Sequence, residues 1–410
     1  MKYQPPFGSS DPNESYADRN LASGVQGSRV SAKAIEGPQR ELAHLISYGG
    51  LTPDETDNEQ ARKAIEAIFL ITAPVTKTVY GAGADFADLN TAYAWLSRRR
   101  ITSTGSVVFQ LAAGQFTVPG GALIGFSHPD GLRVTIRGAN LLAAFPTMAS
   151  FAANGPASGT RASDQATNLA LLRTKFATEL RLTGGSRLDF IGQIGGVDNL
   201  LISGDGTVVD GLTLRFGYGA LTNVAVVGFG GKNVSLASGG FALANVVGIG
   251  GTTGISALGG AHVTVTGPIG GFNASGDGVV AVQASSFNSD GSGNVNGSGN
   301  AQFGVCARDG SVINVGGAAS FARQNGPTFA GYAALYGSKM GAAGATATNN
   351  NNAFFCAYNS MLDAFSTTGS SNTTGYSANY GGLIHAASGS AGTLTPAANT
   401  VGNNNSYISA

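Results

Sequence analysis

Tyr332-Ala333-Ala334-Leu335-Tyr336, Phe354-Phe355-Cys356-Ala357-Tyr358 and Tyr376-Ser377-Ala378-Asn379-Tyr380 are copies of one segment, each 22 residues after the last. Met340, Leu362 and Ile384 keep the same period. A fixed period in several columns means one supersecondary unit stacked on copies of itself. Within each unit the aromatic, small and tyrosine positions fall at i, i+2 and i+4, the alternation of a strand. A strand repeat of this length describes one coil of a β-solenoid, with like residues stacked at about 4.8 Å per coil. Met340, Leu362 and Ile384 are therefore expected to stack inside the lumen, and Ile313 extends their column through one longer coil.

Upstream of the repeat, short apolar strands alternate with Gly or Asn turns from about Phe176. Examples are Leu180–Leu182, Leu188–Ile191, Leu200–Ile202, Leu212–Leu214, Val224–Val227 and Val263–Val265. The fold class expected is mainly β, a right-handed parallel β-helix with roughly ten coils over residues 176–410. Residues 139–175 read as an insertion loop, because Pro146, Gly155, Pro156 and Gly159 break regular structure. Residues 75–138 give strand, helix, strand: Thr76–Tyr80, a helix opened by Asp85–Leu89, then Val107–Leu111 and Leu132–Ile136. Residues 1–74 hold an extended arm to about residue 35 and two short helices. Pro38 suits the first turn of one, which Gly49 or Gly50 stops. The other starts near Asp57 or Asn58, with Ala61, Ile65, Ile68 and Phe69 as its buried face.

Charge is balanced, 23 basic against 23 acidic residues. Only Lys232, Asp277, Asp290, Arg308, Asp309, Arg323, Lys339 and Asp363 lie beyond residue 215. That excludes a basic patch for nucleic acid and a polybasic membrane signal. The 63 glycines follow no Gly-X-Y period, so collagen is excluded. Disorder is the alternative for so polar a composition, but regular apolar columns need a core to explain them. Cys306 and Cys356 lie two to three coils apart, too far for a disulfide, and read as small core residues. No membrane insertion is expected, since apolar runs are too short.

Two segments resemble known families. The order Tyr3-Gln4-Pro5-Pro6-Phe7-Gly8, Pro38-Gln39-Arg40-Glu41-Leu42, Gly50-Leu51-Thr52-Pro53, then Asp57, Gln60, Ala64 and Ile65 resembles the leader of phage and prophage tail-fibre proteins. The resemblance covers about 70 residues. It implies that Pro5, Pro6, Phe7, Pro38, Gln39, Arg40, Glu41 and Leu42 belong to a segment joining a fibre to the virion. Asp54-Glu55-Thr56-Asp57 is more acidic than that pattern. Ala113-Gly114-Gln115-Phe116 and Thr135-Ile136-Arg137-Gly138, in their strand–helix–strand setting, resemble the opening of pectate-lyase-like β-helix proteins. There a helix caps the first coil, which would otherwise expose its lumen and an unpaired strand edge.

The chemistry on offer is sparse. Asp198, Asp205 and Asp210 fall within 13 residues, and converging carboxylates can act as general acid and base. Yet Asp205-Gly206 and Asp210-Gly211 are turn dipeptides and Asp198 precedes an Asn, so turns are the first reading. Asp277, Asp290 and Asp309 likewise read as turn or loop residues. His44, His128, His262 and His385 show no metal-ligand spacing. Gly192–Gly196 and Gly248–Gly254 lack the ending of a phosphate loop. Tyr336, Tyr358 and Tyr380 have two readings: packing within the stack, or an outward ladder that contacts glycans. Asn349–Asn352 and Asn403–Asn405 suit turn ladders or a flexible loop.

The expectation is a phage tail fibre or tail spike, a homotrimer in the virion tail, made in the host cytoplasm. It docks to baseplate or tail-tip proteins through residues 1–74 and attaches to a host surface, with no cofactor and no metal. The competing reading is a spike depolymerase cutting surface polysaccharide.

Overall fold

The computed structural model describes residues 4–20, 22–24, 26–118, 123–151, 160–207, 209–289, 293–315, 321–323, 330–386, 399–402 and 405–409. Tyr3, Gly155, Pro156, Gly159, Asp290, Asn403 and Asn404 therefore lie outside the described residues. Two compact units divide the chain: residues 1–74 with 95–106, and residues 75–94 with 107–410.

In the first unit the arm bonds to itself. Phe7 N–H donates to the Arg29 carbonyl and Ser28 N–H to that of Ala17. Helix α1 spans Ala32–Tyr48, and the Ser31 hydroxyl accepts from Ala34 N–H as its N-cap. The helix thus begins earlier than expected, and Pro38 lies inside it rather than in its first turn. Helix α2 spans Gln60–Phe69. Its buried positions are Gln60 and Ala64, while Ile65 and Phe69 are exposed. The face expected from apolar periodicity is rotated because Gly49 packs on Ala64. A Cβ on Gly49 would stand 2.7 Å from the Ala64 Cα, so the helices meet at their smallest residues. Leu70–Ile71 pairs in parallel with Arg100–Ile101 in the same unit.

The second unit is a parallel β-solenoid. One sheet holds eleven strands in strict coil order among the described residues. The other faces share a long run of parallel pairs, two short strands per coil in most coils. Like stacks on like through the register. Val305, Tyr332, Phe354 and Tyr376 form one buried or half-buried column. Phe287, Ile313, Met340, Leu362 and Ile384 form another, all fully or almost fully buried. Cys306 and Cys356 are buried free thiols in different columns, one aligned with Ala333 and the other with Ala334.

Polar ladders hold the bends. Asn199, Asn223 and Asn245 sit at left-handed backbone positions. Their side-chain amides donate in series, Asn223 to Asn199 at 2.9 Å and Asn245 to Asn223 at 2.8 Å. Asn350 and Asn372 make a similar buried pair at another bend.

Helix α3 spans Leu89–Leu96, and the Asp88 carboxylate accepts from Thr91 N–H at its start. Leu89, Ala92 and Leu96 are buried, and Tyr93 packs on Phe126 at 4.8 Å between ring centroids. Residues 139–175 are not the loop expected. Met148–Ser150 form a 3₁₀ turn and Thr160–Arg173 form helix α4. Met148, Phe151, Leu172 and Phe176 bury the outward side chains Leu201, Val227, Val247, Ile249 and Phe272. One face of the early coils is thereby covered by the chain itself.

Candidate functional site

The solenoid's open face begins at a corner that recurs from coil to coil among the described residues. A strand of the eleven-stranded sheet ends, two to four residues turn, and the next strand starts. Tyr336-Gly337, Tyr358-Asn359 and Tyr380-Gly381 all have positive φ at both positions. Successive left-handed residues reverse the chain tightly and turn the first side chain outward. Serine fixes the corner from within. Ser285 N–H donates to the Ser311 hydroxyl, Ser311 N–H to Ser338 and Ser338 N–H to Ser360, each at 3.1 Å. Ser311, Ser338 and Ser360 are buried, so each hydroxyl satisfies a buried N–H of the coil before it.

The outward tyrosines stack on one another. Tyr336 and Tyr358 have centroids 4.6 Å apart at 11°, and Tyr358 and Tyr380 5.0 Å apart at 2°. They are 52, 40 and 54% exposed. The rings pack on one another, and they do so on the outside of the coils. Packing limits the chemistry. Both faces of Tyr358 are covered by its neighbours, so a ligand meets ring edges and phenol hydroxyls. Stacking of a sugar on that ring is blocked.

Beyond the corner, outward residues of the next strand form two columns in unbroken register. The first runs Tyr218, Gly240, His262, Ser286, Val312, Lys339, Met361, Leu383, Tyr407. The second runs Ala220, Ala242, Thr264, Asn288, Asn314, Gly341, Asp363, His385, Ser409. Lys339 and Asp363 are the only Lys, Arg, Asp or Glu among them. His385 Nδ1 lies 3.7 Å from the Asp363 carboxylate, and its ring packs edge-on to Phe365.

The carboxylates are engaged elsewhere. Asp198 is a strand residue, not a turn residue, within Gly196–Ser203, and it faces Arg137 at 3.3 Å. Burial raises its pKa and Arg137 opposes the rise. Asp205 does hold a turn. It accepts from the Thr207 hydroxyl and from Gly184 N–H, and these bonds lower its pKa to about 2. Asp210 accepts from Lys232 N–H at 2.8 Å. Asp277 is the first residue of the strand Asp277–Ala281 rather than a turn residue, and it is buried against Arg308. Burial raises its pKa, opposed mainly by the Arg308 charge. Asp189 pairs with Arg215, and Glu179 with Arg173 and Ser203. No hydrogen bond joins two of these carboxylates, and among the described residues no three of His, Cys, Asp and Glu gather into a metal set.

A cleft of about 400 Å³ lies beside α3, lined by Tyr80, Asp88, Asn90, Gln115, Phe116 and Thr117. Tyr80 stacks on Phe116 at 4.5 Å, and burial raises the Tyr80 pKa to about 12. Its one carboxylate, Asp88, is the helix cap. In the first unit Phe7 and Leu42 are exposed, Pro6 is buried, Pro38, Gln39 and Glu41 lie on α1, and Arg40 pairs with Glu36. Phe216 and Tyr218 on the open face escaped sequence reasoning, because no residue one coil away repeats them.

No family model matches the chain, and no curated protein matches it. Among solved structures it is similar to the A-module of mannuronan C-5 epimerase from Azotobacter vinelandii. That likeness has 12% identity over 74% of this chain and 89% of that one, with a TM-score of 0.29. A likeness of that extent carries no argument about the site.

Proposed function

We propose that this protein is a phage tail fibre or tail spike that binds host-surface saccharide along the open face of its solenoid without cleaving it. Residues 1–74 serve as the anchor to baseplate or tail-tip proteins, and the working form is a homotrimer in the virion tail. The leader resemblance supports the anchor. One observation carries the binding, rather than cutting, role: each candidate acid is committed to a guanidinium or a backbone N–H, while the face next to the corner is almost uncharged. Carboxylate catalysis requires two acids at a defined separation of about 5–10 Å across a substrate groove. Here Asp198, Asp205 and Asp210 each hold a different piece of the fold.

The test is incubation of the purified protein with host capsule or lipopolysaccharide, read by a reducing-end assay and by co-sedimentation. Binding without new reducing ends is expected. Cleavage that disappears in Asp205→Asn or Asp210→Asn would replace this reading with a depolymerase.

A further inference from the structure

Phe216 and Tyr218 are 66 and 59% exposed. Neither stacks on another ring among the described residues. Phe216 occupies the corner position with φ +60°, a conformation disfavoured for a non-glycine residue. The coil before uses Gly192 at this place and the coil after uses Ser238. Tyr336, Tyr358 and Tyr380 carry the same strain but recover contact by stacking. Phe216 recovers neither burial nor stacking, so folding alone gives no reason for a phenyl ring there. Left-handed backbone is common to this corner, at Ser238, Gln283 and Asp309 as well, so it is the exposed, unstacked ring that points to a role outside the fold.

Tyr218 stands two residues on, at the head of the first outward column. Its Cδ1 and Cε1 lie 2.7 Å from where a Cβ on Gly240 would stand. The ring leans across the neighbouring strand, and only glycine there admits it. Further along the axis His262 Nδ1 and the Ser286 hydroxyl are 3.0 Å apart, and Thr264 and Asn288 are exposed in the adjoining column. From Tyr218 to Asn314 neither column holds Lys, Arg, Asp or Glu. Arg215, next to Phe216, is held by Asp189.

We propose that Phe216 and Tyr218 form a stacking subsite for uncharged pyranose rings. His262, Ser286, Thr264 and Asn288 receive the hydroxyls of a saccharide laid along the solenoid axis. The assignment rests on the saccharide-binding reading above and locates where the chain is gripped. Apolar sugar faces match the aromatic rings, and their hydroxyls match the hydroxyls, amide and imidazole that follow. The charged pair next to these columns, Arg137 with Asp198 one coil before, is self-compensated, and from Tyr218 to Asn314 the columns themselves hold no Lys or Arg to attract acidic chains, which favours neutral ones. A protein partner would meet a polar floor immediately beyond two aromatics, which favours a saccharide.

Affinity electrophoresis through gels holding a mannan, a galactan, a β-glucan or polygalacturonate tests this with the full chain. The wild type is expected to be retarded by at least one neutral polymer. Tyr218→Ala and Phe216→Gly each weaken that retardation at least tenfold. Phe216→Gly also keeps or raises the thermal midpoint, because glycine relieves the left-handed strain, so its loss of binding is not loss of fold. Retardation of the wild type with both variants unchanged overturns the subsite and leaves the functional reading standing. Retardation by polygalacturonate alone overturns the neutral class. No retardation by any polymer, nor binding to host lipopolysaccharide, removes the functional reading and the subsite together. A change of oligomeric mass in either variant by light scattering makes the patch an interface between copies and overturns the proposal.

Discussion

Leu362 sits between Met340 and Ile384 with almost no exposure. Truncation to alanine removes contacts to both neighbours in a lumen that cannot collapse without bending two strands. Leu362→Ala is expected to cost about 2–5 kcal/mol, read as a lower urea midpoint. Asp205 offers a residue-level test by pH. Its folded pKa is depressed, so its contribution is complete above the unfolded value near 4 and is lost as pH falls through about 2. Asp205→Asn should therefore be less stable than wild type at pH 5, with the gap narrowing by pH 2 in urea melts. An unchanged gap would mean that the turn does not rely on the ionised carboxylate.

At the level of elements, the serine corner is a chain of single hydrogen bonds, each from one coil to the next. Ser338→Ala leaves the Ser311 N–H buried without its acceptor, at a cost of about 1–3 kcal/mol. Ser338→Thr retains the hydroxyl and should recover part of it, both read by urea midpoint. Strands and corners of this kind were legible because they repeat: the 22-residue columns announce register and lumen together. Helix α4 was hidden for a physical reason. Its buried stripe is Asp164, Asn168 and Leu172, so the apolar periodicity of a helix is replaced by polar residues that find partners under the cover. The start of α1 was hidden by Pro38, which reads as a first turn although Ser31 caps the helix seven residues earlier. Exposed aromatics without a period, Phe216 and Tyr218, give no signal in sequence. Only exposure and backbone conformation single them out.

At the level of the whole molecule, charge is confined almost entirely to the first half of the chain, and the later coils are held by packing and neutral ladders. Burying such flanks against copies of the chain needs no charge complement. A trimeric mass by light scattering is expected, and it should be insensitive to salt between 50 and 500 mM, since few exposed ion pairs are there to be screened. A monomeric mass at micromolar concentration would sink the trimer. The in-register corner has a further consequence. Tyr336-Gly337-Ser338 and Tyr358-Asn359-Ser360 are interchangeable joints, and the columns on either side of them carry equivalent residues. Removing residues 338–359 would join Gly337 to Ser360 and seat Leu362 on Ile313. Length in this part of the chain is thus quantised: a whole coil can be gained or lost with every ladder re-formed, whereas a shift of one residue turns each luminal side chain outward. Reach becomes a quantity that duplication or deletion can change in steps of one coil, with no new contact to invent.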